Sequence, residues 1–216
     1  PDVPTPPHRF RCMMEVMDPA EIRERKVALR AQMIQARRSM SPEDISREDS
    51  AIIAHAAALL RSLSPAETSV AAYSPLPGEP GGTLLLDALH GEASSLLLPV
   101  SLPGGHLDWA RYQGRLNLNP GALGIAEPTG DRLGPDAIAS CRLILVPALG
   151  VSPDGIRLGK GGGYYDRALA HLAAGENPPR TAVLLYNGEI RDDIPVEGHD
   201  MPVDLAITPA GVRHFR

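Results

Sequence analysis

Between residues 157 and 167 the chain reads RLGKGGGYYDR. Four of the five residues 159–163 are glycine, Lys160 stands among them, Arg157 precedes them, and Asp166 and Arg167 follow. Glycine costs backbone entropy on folding, so a plain turn has little use for four of them. Bare backbone does allow close approach: successive N–H groups without Cβ atoms can form a concave nest for an anion. Arg157, Lys160 and Arg167 could add charge-assisted hydrogen bonds. The chemistry these types point to is the binding of a phosphate-bearing ligand.

The two common nucleotide fingerprints do not fit. The phosphate-binding loop pattern needs Gly-Lys followed by Ser or Thr, and no such string is present. The dinucleotide pattern would need glycine at position 164, which is Tyr164. The surroundings of the segment are still informative. Upstream, CRLILVPAL (141–149) is apolar without alternation, as in a strand buried on both faces. Downstream, YYDRALAHLAAG reads as a helix ending at Gly175. A strand, a glycine loop and a helix in that order place the loop at the carboxyl end of a strand, where α/β sheets bind ligands.

The remaining elements must carry this loop. PAEIRERKVALRAQMIQARR (19–38) reads as an amphipathic helix with Ile22, Leu29 and Met33 near one face. A second helix follows, with Ser41 as N-cap, Pro42 at its first position and Asp44 at capping-box distance. SVAAYS (69–74), SLLLPV (95–100), LDWARY (107–112), TAVLLY (181–186) and DLAITPAG (204–211) read as strands, and TLLLDALHG (83–91) as a helix closed by Gly91. Residues 113–136 are loop-rich. Strands alternating with helices predict an α/β fold, a layered α/β/α arrangement with a central, mainly parallel sheet. The expected organisation is a disordered Pro-rich tail over 1–18 and a single domain over 19–216.

Composition narrows the class. The 216 residues are 43% hydrophobic and 22% charged, with a net charge of -5. That balance gives no support to nucleic-acid binding. No run of 18 apolar residues suggests a membrane span, and PDVPTPPHRFRC lacks the apolar core of a signal peptide. Two cysteines in unrelated contexts, Cys12 and Cys141, argue against a disulfide framework and for a reducing cytoplasm. His55, His90 and His171 lack metal-ligand spacing and are expected at the surface. Cys141 is expected as a small core hydrophobe.

VPALGVSPDGIRLGKGGGYYDR resembles the signature of the 5-formyltetrahydrofolate cyclo-ligase family, the methenyltetrahydrofolate synthetases. Other stretches agree in order and spacing: KVALR (26–30), YSPLPGE (73–79), GIAEP (124–128) and HDMPVDLAITP (199–209). The resemblance spans about residues 22–209. It implies an enzyme that converts 5-formyltetrahydrofolate and ATP into 5,10-methenyltetrahydrofolate, ADP and phosphate with Mg²⁺. Phosphorylation of the formyl oxygen would make it a leaving group. Such a transfer asks the protein mainly to position reactants and stabilise phosphoryl charge.

By this resemblance Lys26 and Arg30, one helical turn apart, bind ATP phosphates, together with Arg157, Leu158, Gly159, Lys160, Gly161, Gly162, Gly163, Tyr164 and Tyr165. Arg157 and Lys160 are the leading catalytic cations. Some relatives carry a lysine where this chain has Gly162. Asp166, helped by Asp200, would hold magnesium. Glu79 would bind the folate by accepting hydrogen bonds from pterin N–H groups, with Ser74 a second contact. Trp109, the only tryptophan, is a further candidate that could stack on a flat ring, although a tryptophan in the core is the commoner case. By residue type alone, Lys26 and Arg30 also fit a solvated helix face, and Asp200 fits an Asx-turn.

Two other readings stay open. PGGT follows Glu79 where the family commonly has an acidic residue and threonine, so a diverged member with a non-folate substrate is one alternative. A nucleotide- or sugar-phosphate-binding sensor of similar fold is the other, although residues 1–68 show no persuasive DNA-binding helix pair. The expected partners are ATP and a small folate, with no nucleic acid and no membrane, in a monomer or small homo-oligomer.

Overall fold

A computed structural model of the chain describes residues 18–63, 68–121, 123–170, 172, 177–198 and 200–215. The tail expected over 1–18 lies outside them except for Asp18, as do Cys12, His171 and the helix end expected at Gly175.

Helix α1 (Pro19–Arg38) starts where the Asp18 side chain accepts a hydrogen bond from the Ala20 amide, with Pro19 at the first position. Arg37 and Arg38 in its last turn suit the negative end of the helix dipole. Its buried residues are Ile22, Lys26, Leu29, Met33 and Arg37. The expected apolar stripe is present, but two cations share it. Helix α2 (Pro42–Ser62) opens as its sequence predicts, with Ser41 Oγ accepting from the Asp44 amide at 3.0 Å.

Strand β1 (Ser69–Ala71) is followed by a loop, a turn of 3-10 helix and α3 (Leu85–Glu92). The expected stop at Gly91 does not occur. Gly91 keeps a negative φ inside the helix, and the Ala93 amide closes the end on the Leu89 carbonyl. Next come β2 (Ser95–Leu102), β3 (His106–Arg111), a small hairpin of β4 (Leu118–Pro120) and β5 (Ala126–Pro128), and then β6 (Leu143–Leu145). A second hairpin, β7 (Gly150–Val151) and β8 (Arg157–Leu158), leads into α4 (Tyr164–Ala170). The chain ends with β9 (Arg180–Leu184), β10 (Leu205–Thr208) and β11 (Gly211–His214).

Seven strands form one sheet in the order β11-β10-β9-β6-β1-β2-β3. The five inner strands are parallel, and β3 and β11 join antiparallel at the edges. Alternation along β6 sends Leu143 and Leu145 to one face, against α2 and α3, and Ile144 to the other, against α4 and the 135–140 segment. Both faces are therefore covered, giving the layered α/β/α arrangement. Each fully buried Leu or Ile contributes roughly 1.5–3 kcal/mol, and Ile52, Leu60, Leu85, Leu89, Leu96, Leu98, Ile144 and Leu145 are of that kind.

The strand order decides where a site can lie. From β1 the chain proceeds outward to β2 and β3, then returns to the other side of β1 for β6, β9 and β10. The direction switches between β1 and β6. Loops leaving the carboxyl ends of those two neighbours diverge and open a crevice, the usual ligand position in such sheets. Here they are the Tyr73–Glu79 loop and the stretch from Pro147 through the glycine segment.

Candidate active site

The glycine segment is carried by the β7–β8 hairpin, whose base is tied by the Leu149 amide donating to the Leu158 carbonyl at 2.8 Å. Two of its glycines need their lack of a side chain for backbone reasons: Gly161 has φ +94° and Gly163 φ +69°. Arg167 braces the far end. Its Nη2 donates to the Gly162 carbonyl and its Nε to the Gly105 carbonyl, each at 2.9 Å, while its guanidinium lies over the Tyr164 ring. Arg167 therefore fixes the loop to the β2–β3 connection.

On one side of this segment is a cavity of about 400 Å³. Its walls include Tyr73, Ser74, Glu79, Leu107, Ile125, Glu127 and Tyr165. Glu79 is only 7% exposed, and both its carboxylate oxygens are engaged. Oε2 accepts from the Leu76 amide at 2.7 Å, and Oε1 meets Lys160 Nζ at 2.6 Å. Burial pushes the Tyr165 phenol well up from its ordinary pKa, with the Glu79 charge adding to the shift, and its hydroxyl has no hydrogen-bond partner. Glu127 accepts from the Ser101 amide at 3.0 Å, which places the GIAEP stretch at the cavity wall.

Trp109 does not reach this cavity. It is 0% exposed, packs edge-on against Tyr165 with ring centroids 6.3 Å apart, and belongs to the core under α4. Ring stacking on a ligand needs an open face, which Trp109 lacks, so it is a core residue. Cys141 is likewise buried, and desolvation raises its thiol pKa. His90 is exposed as expected, but His55 is half-buried, with Nε2 3.3 Å from the Pro209 carbonyl.

On the other side is a second cavity, of about 350 Å³, whose walls include Arg23, Lys26, Arg30, Arg157, Asp166, Glu197 and Asp200. Gly159, Gly161, Gly163, Arg157 and Asp166 border both cavities, so the glycine segment is their common wall. Lys26 is 8% exposed, with Nζ 2.8 Å from both Glu197 and Asp200. Burial alone would lower its pKa, but the hydrogen bonds and charges of Asp200 and Glu197 outweigh it and hold the pKa above the ordinary lysine value. Arg30 Nε donates to the Gly159 carbonyl at 2.8 Å, and Arg157 is paired with Asp166. Leu158 is buried beneath this cavity among Leu29, Met33, Leu149 and Ile194.

The structure thus brings Lys26, Arg30, Arg157, Asp166 and Asp200 together. Lys160, Gly162, Tyr164 and Tyr165 border only the first cavity, and Lys160 reaches toward Glu79. Among the described residues no three His, Cys, Asp or Glu side chains are grouped to hold a metal unaided. Asp166, Glu197 and Asp200 all line the second cavity, Asp166 paired with Arg157 and the other two with Lys26, and the Asp166 side chain is 72% exposed. That set suits a hard cation taking most of its other ligands from phosphate and water. Sequence reasoning missed Glu197. Its signal is its place three residues before Asp200, in a loop where the Asp200 side chain accepts from the Glu197 amide at 2.8 Å.

Comparison with known proteins bears on the family and the fold. The family model described as "5-formyltetrahydrofolate cyclo-ligase family" matches residues 22–209. A Mycolicibacterium smegmatis protein named 5-formyltetrahydrofolate cyclo-ligase is 34% identical over 197 residues, covering 85% of this chain and 93% of that protein. The solved Aquifex aeolicus 5,10-methenyltetrahydrofolate synthetase superposes with a TM-score of 0.70 at 30% identity, over 88% of this chain and 93% of that one. The Mycoplasma pneumoniae 5,10-methenyltetrahydrofolate synthetase gives 0.66 at 23% identity, over 85% and 98%, which speaks for the fold alone. The matched span includes both cavities and the wall between them, and with so much of its length in register the chain belongs to the 5-formyltetrahydrofolate cyclo-ligase family.

Proposed function

We propose that the protein catalyses the ATP- and Mg²⁺-dependent cyclisation of 5-formyltetrahydrofolate to 5,10-methenyltetrahydrofolate, releasing ADP and phosphate. One observation carries the reading: the glycine segment is the shared wall of an apolar cavity holding a buried carboxylate and a second cavity lined with cations. A group must pass from a phosphate chain on one side to a folate on the other, and that wall is where they would meet.

The formyl oxygen attacks the γ-phosphorus and ADP leaves. The nitrogen at position 10 then adds to the activated carbon and gives up its proton, and the oxygen departs with phosphate. No protein nucleophile is required. Lys26, Arg30 and Arg157 hold phosphate oxygens by charge-assisted hydrogen bonds, and glycine N–H groups supply further donors. Glu79 accepts from pterin N–H groups, and Ser74 lies on the same wall. Mg²⁺, with Asp166 and Asp200 as protein ligands, would neutralise charge on the β and γ oxygens.

The same reading treats 19–216 as one ATP- and folate-binding domain acting as a monomer or small homo-oligomer. It keeps the cytoplasm as the compartment, which suits the free, buried Cys141 thiol. No helix among the described residues is long and apolar enough to cross a membrane. The test is direct: mix folded protein, Mg-ATP and 5-formyltetrahydrofolate and follow methenyl absorbance in the near ultraviolet. An ATP-dependent rise is expected; its absence overturns the reading.

A further inference from the structure

Lys160 and Glu79 face each other across the first cavity at 2.6 Å. The pair is asymmetric. Glu79 is almost wholly buried, whereas the Lys160 side chain is 43% exposed and springs from the wall between the cavities. Its neighbours Gly159 and Gly161 border both cavities, and four rotatable bonds give the ammonium considerable reach. The second oxygen of Glu79 is committed to the Leu76 amide. As it stands, the carboxylate assigned to the pterin has its free side taken by a lysine.

We infer that Lys160 couples the two substrates: in the free protein it occupies Glu79, nucleotide phosphate draws it away, and the released carboxylate oxygen accepts the pterin N–H groups. This rests on the functional reading above and adds a coupling between its two sites. The physical basis is an exchange of partners. A buried carboxylate stripped of its cation is costly, so Glu79 releases Lys160 only when pterin donors replace it. Lys160 leaves readily only when a phosphate receives it. Each ligand therefore makes room for the other, and linkage requires the two effects to be equal in size.

The experiment is a set of equilibrium titrations on the full chain, without turnover, using 5-formyltetrahydrofolate and a non-hydrolysable ATP analogue with Mg²⁺. In the wild type the analogue should tighten folate binding by about 5–150-fold, the usual range of such coupling, and folate should tighten analogue binding by the same factor. Lys160→Met keeps the stem and removes the charge. It should bind folate more tightly than the wild type in the absence of nucleotide, with the analogue no longer affecting it. Glu79→Gln should weaken folate binding yet tighten analogue binding to the folate-free protein, a gain that a merely structural defect would not produce. Equal folate affinity with and without analogue in the wild type overturns the coupling while leaving the enzyme reading intact. So does full wild-type coupling in Lys160→Met. Failure of folate to bind folded wild-type protein under any condition overturns the functional reading, and the coupling with it.

Discussion

Arg37 near the end of α1 and Glu189 in the loop after β9 form a two-pronged buried ion pair. Nε and Nη2 of the arginine donate to Oε1 and Oε2 of the glutamate at 2.7 and 2.8 Å. The same Nη2 reaches the Ala148 carbonyl at 3.0 Å, and Oε2 accepts from the Tyr186 amide at 2.8 Å. Burial pushes the Glu189 carboxyl pKa up, against the pull of Arg37. One guanidinium thus joins three pieces: the helix bearing Lys26 and Arg30, the strand exit that feeds the glycine hairpin, and the turn beside it. It sets how far the helix cations stand from the loop.

Removing one member of a buried pair strands the other. Arg37→Ala should lower the unfolding free energy by about 3–5 kcal/mol, read from urea denaturation at neutral pH. Replacing both residues by methionine should recover much of that loss, since a well-packed apolar pair avoids the desolvation penalty. A double variant no more stable than Arg37→Ala would mean that the backbone contacts to Ala148 and Tyr186, rather than the ion pair, carry the stability.

Arg157→Ala and Asp166→Asn test the common wall. Arg157 is paired with Asp166, and although the Asp166 side chain is largely exposed, that of Arg157 is only 7% exposed, so Asp166→Asn, which takes the charge from its partner, should lower stability by about 1–3 kcal/mol. Removing a donor aimed at developing transition-state charge costs about 10²–10³ in kcat, and that is the loss expected for Arg157→Ala. For Asp166→Asn the expected change is a rise of about tenfold or more in the Mg²⁺ concentration giving half-maximal rate, the size of loss that follows removal of a group supporting a metal. Wild-type kinetics in both would remove them from the site.

Lys26 gives a pH prediction. Its pKa in the folded protein lies above the ordinary value of 10.5, because Asp200 and Glu197 outweigh the cost of burial. A group with a raised folded pKa contributes stability that is complete below its unfolded pKa and is lost as pH rises through the folded one. The tie between α1 and the 197–200 loop should therefore be pH-independent from 7 to 9 and weaken only above about pH 10.5. Lys26→Met should remove that alkaline decline, visible as a flatter stability profile between about pH 10 and 12. An unchanged profile would show that the decline arises elsewhere.

Much of this frame was legible because it is local. The Ser41 cap, Pro19 and Pro42 act through neighbours in the chain, and α1 and α2 start as their sequence predicts; the apolar run 141–149 also gives a buried strand, but only over Leu143–Leu145, where it pairs with β1 and β9. The glycine segment was legible through its composition. What escaped depends on distant pairing. By residue type alone Lys26 read as a solvated helix cation, because its acceptors, Glu197 and Asp200, lie more than 170 residues away. Lys160 read as a nucleotide cation because nothing in the string points to Glu79. Trp109 is buried through its place on an edge strand covered by α4, which periodicity does not reveal. β11 was missed because its four residues, GVRH, carry little apolar pattern.

Gly163 and Gly159 differ in what a side chain would meet, and that difference is testable. Gly163 has φ +69°, and a Cβ there would meet Arg167 Nη1 at 2.9 Å. Gly163→Ala should therefore cost about 1–2 kcal/mol of backbone strain and loosen the loop's brace. Gly159 has an ordinary φ, and a Cβ there would meet nothing within 4 Å, yet it borders both cavities. The fold leaves open space for a side chain at that position, so the proposed approach of phosphate is the reason expected for a glycine there. Gly159→Ala should keep the wild-type melting temperature while raising KM for ATP by about tenfold, the effect of about 1.4 kcal/mol of lost binding. If Gly159→Ala melts and turns over like the wild type, the backbone at 159 is not what the phosphate approaches, and the nest must be centred on Gly161 and Gly163.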